Sequence, residues 1–230
     1  MTLSIVLLSG GIDSAVALAK VRASGSDVEA LLVDYGQRHG IELSRAQALA
    51  EHYGAKVTRV SVNLPAMRPV DALTGQASVP KRRSLQTIAS SGVPATFVPG
   101  RNLTLLSLAF SLAAMRGADA VVMGATMTDA PGYPDCRPGF LDAFKCAAHA
   151  GLGNFTRLES PWVYKTKAEV IAEGAALDVD FAATWSCYAP SYDLDHGLIK
   201  HCGICDACTV RRAGFVAAGI VDPTDYAEGA

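Results

Sequence analysis

The chain has 230 residues, 50% of them apolar, with 20 basic and 22 acidic side chains and a formal net charge of −2. That length fits one large domain, or a domain with a small appendage, and the apolar share is enough for a substantial buried core. The charge balance argues against a protein that coats nucleic acid through a strong positive field, and no apolar stretch reaches the ~18 residues of a membrane span.

In chain order, residues 3–8 read as a strand and 14–24 as a helix. Residues 28–35 (VEALLVDY) read as a strand, 41–53 as a helix and 55–62 as a third strand. Residues 103–117 then form a helix and 120–124 a short buried strand. Apolar, β-branched runs alternating with helical patterns indicate βαβ units: a Rossmann-like α/β fold, its parallel sheet covered on both faces by helices. Ligands in such sheets bind beyond the carboxyl ends of the strands. Residues 63–99 interrupt the alternation with several prolines and a basic triplet, Lys81–Arg83, and read as a long mobile excursion. The triplet is either a solvated surface patch or an anion contact on a lid. A further helix is expected at 168–176, and the chain turns irregular and cysteine-rich after 181. The division expected is an α/β domain over 1–180 and a cysteine-rich segment with a helix over 181–230.

The first strand runs into Ser9-Gly10-Gly11-Ile12-Asp13-Ser14, which opens the first helix. A strand feeding a glycine-rich turn at a helix N-terminus makes a phosphate cradle. The glycines admit close approach, and free backbone N–H groups at the positive end of the helix dipole face the anion. Ser9 and Ser14 add hydroxyls, and Asp13 suits a magnesium contact or a helix start. An ordinary tight turn with a helix cap is the competing reading. The pattern lacks the lysine of G-x-x-x-x-G-K-[ST] and resembles the loop of the PP-loop ATP pyrophosphatases.

Six cysteines are present. No basic leader precedes the first strand, so a cytoplasmic protein is expected, and clustered thiols there point to metal before disulfides. Cys202, Cys205 and Cys208 form C-x-x-C-x-x-C, and with Cys187 they match a tetrahedral structural zinc site with no position open for water. His201 is the alternative to Cys187 as fourth ligand. Cys146, on a helical stretch with apolar neighbours, reads as a buried small hydrophobe.

Seven stretches together resemble the QueC family of 7-cyano-7-deazaguanine synthases: SGGIDS (9–14), DYGQRH (34–39), PATFVPGRN (94–102), GYPDCR (132–137), TKAE (166–169), TWSCY (184–188) and CGICDAC (202–208). The resemblance runs nearly end to end. It implies a ligase that activates 7-carboxy-7-deazaguanine with ATP and magnesium, takes up ammonia to give the amide, and activates again to give the nitrile of the queuosine pathway. It implies structural zinc on the four cysteines and a homodimer, with neither a stable nucleic-acid partner nor a membrane. The implied ATP contacts are Leu8, Ser9, Gly10, Gly11, Asp13, Ser14, Tyr35, Gln37 and His39. Arg38, Arg101 and Lys167 are the implied catalytic cations. Asp129, Tyr133, Asp135, Cys136 and Arg137 are the implied substrate contacts, with Asp135 accepting from a guanine-like face and Arg137 pairing with the carboxylate. One alternative is a ligase that adenylates the same acid but stops at the amide or joins it to another amine. A remoter one is a zinc-containing nucleic-acid module using Arg211 and Arg212.

Overall fold

A computed structural model describes residues 2–38, 40–64, 71–75, 77–193 and 197–227. Five parallel strands form one sheet in the order β3-β2-β1-β4-β5. They are β1 (Leu3–Leu7), β2 (Asp27–Asp34), β3 (Lys56–Ser61), β4 (Ala120–Val122) and β5 (Arg157–Glu159). The helices between them are α1 (Ile12–Ala23), α2 (Ile41–His52), α3 (Leu85–Ser90), α4 (Arg101–Arg116) and α5 (Pro138–Leu152). After β5 come α6 (Lys167–Ala176), a small antiparallel pair β6 (Ser191–Asp193) and β7 (Leu198–Lys200), and α7 (Asp206–Ala218).

The period of two along each strand divides the core into two layers. Val6 and Leu8 of the first strand, with Ala30 and Leu32 of β2, pack under α1, α2, α6 and α7. Ile5 and Leu7, with Leu31 and Val33, pack under α4 and α5. The parallel α/β sheet with helices on both faces is therefore as expected. Phe215 of α7 belongs to the same core cluster as α1, so the C-terminal helix is built into the main fold.

Besides the β6–β7 pair, which lies where an irregular segment was expected, two elements were not expected. β5 is a three-residue edge strand, Arg157-Leu158-Glu159, with a charge at each end. α3 breaks the long excursion; Ser84 caps it by accepting from the Thr87 N–H. Cys146 is a correction: it is exposed on α5, a helix whose one buried residue is Leu141.

The sheet order reverses direction at β1, which pairs with β2 on one side and β4 on the other. Connections leave the carboxyl ends of these two strands toward opposite faces and open a crevice there.

Candidate active site

A cavity of about 660 Å³ fills that crevice. Leu8, Ser9, Gly11, Asp13 and Ser14 line it from the first crossing, and Tyr35 and Gln37 from the second. Arg101 and Asn102 at the start of α4, then Asp129, Tyr133 and Cys136, form the next wall. Lys167 and one face of α7 close it.

The glycine-serine loop is fixed by its own hydroxyls. The Ser14 hydroxyl donates to the Gly11 carbonyl at 3.0 Å and accepts from the Ser9 N–H at 3.2 Å. Gly11 caps α1 with no side chain, so the first-turn N–H groups stay available to an anion. Gly10 has φ +83°, and a Cβ there would lie 2.5 Å from the Glu42 carbonyl oxygen. That position supports the loop from behind and requires glycine on both counts. Gly124, just past β4, lets that strand end lie against α1: a Cβ would fall 3.0 Å from the Ser14 nitrogen.

Lys167 opens α6, where Thr166 and Glu169 form a reciprocal capping box. Its ammonium reaches both Asp13 oxygens, at 2.5 and 2.6 Å. Burial draws its pKa down, but the Asp13 and Asp129 carboxylates outweigh burial, and the net displacement is upward. Lys167 is thus a fixed cation beside the loop.

On the next wall, Asp129 accepts from the Thr126 N–H and hydroxyl at 3.2 and 2.7 Å. The Tyr133 and Thr96 hydroxyls are 2.6 Å apart. The Asn102 amide donates to the Cys136 sulfur at 3.4 Å. Burial, reinforced by Asp129 and Asp135, pushes the Cys136 thiol up to about 12, so it stays a neutral thiol that shapes the wall.

Four expected contacts lie outside the cavity walls, the first being Gly10, which backs the loop. Arg38 donates to the Gly75 and Ala77 carbonyls at 2.6 and 3.1 Å, fastening the excursion to the sheet edge. Arg137 donates to the Ala130 and Pro131 carbonyls at 2.9 and 3.3 Å, closing its own loop. Asp135 is buried behind the wall, where Oδ2 accepts from the Asn102 N–H at 3.3 Å and Oδ1 has no partner. His39 lies outside the described residues, as do 65–70 and 76 of the excursion.

Arg101 lies 6.0 Å from the Tyr35 ring centroid, and its Nε donates to Asn102 at 3.3 Å. Sequence reasoning did not single out Glu42, Trp185 or Tyr188, which also line the cavity. Glu42 occupies the first turn of α2. Burial holds its carboxyl up at about 7 against the pull of Arg101.

The basic triplet straps the excursion to the cysteine segment. Lys81 bridges Cys205, the Arg82 N–H donates to the Ile204 carbonyl at 2.7 Å, and Arg83 forms an ion pair with Asp206 through both carboxylate oxygens. This places Leu85 and Ile88 of α3 over the cavity.

The sulfurs of Cys187, Cys202, Cys205 and Cys208 all lie within 4.8 Å of one another. Backbone N–H groups of Cys202 and Ala189 donate to Cys187, and that of Cys205 donates to Cys202, at 3.3 to 3.4 Å. Amides aimed at sulfur favour thiolates, so this donor set fits a metal ion. His201 is not part of it: its Nε2 accepts from the Ser186 N–H at 3.2 Å, and its ring lies 4.0 Å from that of Trp185. Trp185 joins the two regions, because its N–H donates to the Gly10 carbonyl at 2.8 Å and its indole donates to the Cys187 carbonyl at 2.9 Å.

Arg211 is not free to meet phosphate, and Arg212 is stacked on a ring. Arg211 is fully buried and donates to Asp222, Thr184, Ser186 and the Phe181 carbonyl. Arg212 lies over the Tyr226 ring at 3.9 Å. Among the described residues no helix is long and apolar enough to cross a membrane.

A five-stranded parallel α/β sheet with a glycine-serine loop at its switch point, roofed by a four-cysteine knuckle, defines a PP-loop type of α/β protein with an appended metal-type site. A family model described as "Queuosine biosynthesis protein QueC" matches residues 3–219, and the chain belongs to that family. It is 44% identical to the 7-cyano-7-deazaguanine synthase of Anaeromyxobacter dehalogenans (strain 2CP-C), over 98% of this chain and 96% of the relative. It is 41% identical to the synthase of the same name from Methylococcus capsulatus, over 97% and 98%. Among solved structures, an NMN synthetase from Francisella tularensis matches with a TM-score of 0.46 and 20% identity, over 77% of this chain and 62% of that one.

Proposed function

We propose that this protein converts 7-carboxy-7-deazaguanine, ammonia and ATP into 7-cyano-7-deazaguanine. The observation that carries the reading is one cavity holding an anion-type helix N-terminus, a fixed cation at Lys167 and a second cation at Arg101. The 44% identity to a named synthase supports the substrate.

In this reading the loop N–H groups of 9–14 hold the ATP phosphates. The substrate carboxylate attacks the α-phosphate, pyrophosphate leaves, and an acyl-adenylate forms. Lys167 and Arg101 stabilise the charge that develops on phosphate oxygens, where fixed cations in a cavity act most strongly. Ammonia displaces AMP to give the amide. The amide oxygen then attacks a second ATP, and loss of AMP leaves the nitrile. Tyr35 and Gln37 flank the nucleotide; Asp129, Tyr133 and Cys136 shape the substrate side. Magnesium, when bound, would be carried by the ATP phosphates, with both Asp13 oxygens engaged by Lys167.

Zinc is the metal proposed for the knuckle. Four sulfur donors in a closed set suit a structural zinc ion and leave no open position for chemistry. A homodimer is proposed as well, with Leu103, Met115, Leu152 and Phe155 of the α4 and α5 side exposed to a second copy. We also propose a cytoplasmic setting.

The test is ATP–pyrophosphate exchange. Exchange that depends on 7-carboxy-7-deazaguanine is the expected result. A folded, metal-loaded protein that exchanges equally well without the acid contradicts the reading.

A further inference from the structure

Among the described residues, four carboxylates line the cavity: Asp13, Glu42, Asp129 and Asp206. Three are engaged. Asp13 holds Lys167, Asp129 holds Thr126, and Asp206 holds Arg83. Glu42 alone has no side-chain hydrogen-bond or ion-pair partner among the described residues, yet it lines the cavity from the first turn of α2, where its backbone carbonyl backs the loop residue Gly10. The ionisable groups whose charge couples to it come from three other segments: Arg101 from α4, Tyr35 from the end of β2 and Tyr188 from the cysteine segment. Such a carboxyl is positioned for a reactant, because the fold gives it nothing else to bind.

The proposed reaction has a task for it. We infer that Glu42 is the general base of this site, accepting the protons that nitrogen must lose in both half-reactions. The inference rests on the proposed function. In the first half-reaction the ammonia lone pair forms the C–N bond, the bond to AMP breaks, and one N–H proton passes to the Glu42 carboxylate. In the second, the oxygen-adenylated amide gives up its two N–H protons through Glu42 in turn, with release to water between them. The C–O bond breaks, AMP leaves with the electron pair, and C≡N forms. A carboxyl held near 7 by burial accepts a proton more readily than an exposed glutamate and is still about half ionised at neutral pH.

The test is Glu42→Gln, with Glu42→Asp as the conservative variant. Adenylation involves no nitrogen, so Glu42→Gln keeps acid-dependent ATP–pyrophosphate exchange within about threefold. Amide and nitrile formation fall at least ~100-fold, the lower range for loss of a general base. Glu42→Asp restores part of that rate. At fixed free ammonia, the wild-type kcat/KM rises with pH through about 7 and levels, and the Gln variant loses this inflection. Folding is checked by a sign. The Glu42 pKa is raised on folding from 4.5 to about 7, so wild-type stability falls as pH rises through that window. Glu42→Gln therefore melts higher than wild type at pH 8, and the gap closes as pH falls toward 4.5. Retained amide and nitrile rates overturn the proposal, as does loss of exchange in parallel with product. Wild-type protein without acid-dependent exchange instead overturns the function on which it rests.

Discussion

The carboxyl edge of the sheet and the cysteine knuckle wall the same cavity but keep their shape by different means. The edge rests on two apolar layers, with Ile5, Val6, Ala15 and Leu18 entirely buried. The knuckle has only a small cluster around Trp185 and the four cysteines, and its other ties are polar: Arg83 to Asp206, Arg211 to Asp222, and Trp185 to Gly10. Apolar burial of the first kind sustains a fold unaided, while a short segment with so little core takes its folding free energy from a bound metal. In the proposed reading, a floor for phosphates built on apolar layers meets a roof whose order would come from a bound ion and a few charged contacts.

Metal removal separates the two regions most sharply. A strong chelator, or Cys205→Ser, is expected to abolish product formation while far-UV circular dichroism keeps most of the helix and strand signal. Loss of both together would mean that the sheet depends on the knuckle.

Lys167→Met follows. It removes the cation held by Asp13 and leaves that half-buried carboxylate without its partner. Acid-dependent ATP–pyrophosphate exchange is expected to fall by ~10²–10³-fold, the cost of one fixed charge-stabilising group. Single-turnover rates with ATP in excess check that the fall is in chemistry and not in nucleotide affinity. An unchanged rate would remove Lys167 from the mechanism.

Arg83→Ala has the smallest expected effect. It removes the ion pair of the strap between the excursion and α7 and loosens α3 over the cavity, while the backbone ties at Lys81 and Arg82 remain. A several-fold rise in KM for the acid is expected, with kcat within about twofold, since a partly exposed ion pair contributes little by itself. Equal falls in kcat and kcat/KM would instead make Arg83 part of the transition-state contacts.

The sequence was most legible where local pattern and tertiary role coincide. Residues 3–24 state a buried strand, a glycine turn and a helix within one window, and the structure has all three. The cysteine spacing was legible for the same reason: a C-x-x-C turn brings two sulfurs together whatever surrounds it. β5 was not, because a three-residue strand with arginine and glutamate at its ends has no apolar run to read. α3 was not, because it buries none of its own residues and is held from outside through Arg83. Side-chain direction was the least legible part of the site. Arg38 and Arg137 stand in motif segments at the right edge, yet each turns to nearby loop carbonyls that no sequence pattern announces. Glu42 was passed over for the opposite reason. An acidic residue in the first turn of a helix looks like an ordinary partner for the helix dipole, and only the tertiary structure places it on the cavity wall with Arg101 and Tyr188.

The most direct test of the account is the product itself. Metal-loaded protein is incubated with ATP, magnesium, nitrogen-15 ammonium and 7-carboxy-7-deazaguanine, and the products are followed by mass spectrometry. The account expects labelled 7-cyano-7-deazaguanine with AMP and pyrophosphate released at about two per nitrile, one for each of the two activations. Labelled amide without nitrile would keep the cavity and its adenylation but move the function to an amide-forming ligase. No labelled product from a folded sample would contradict the account.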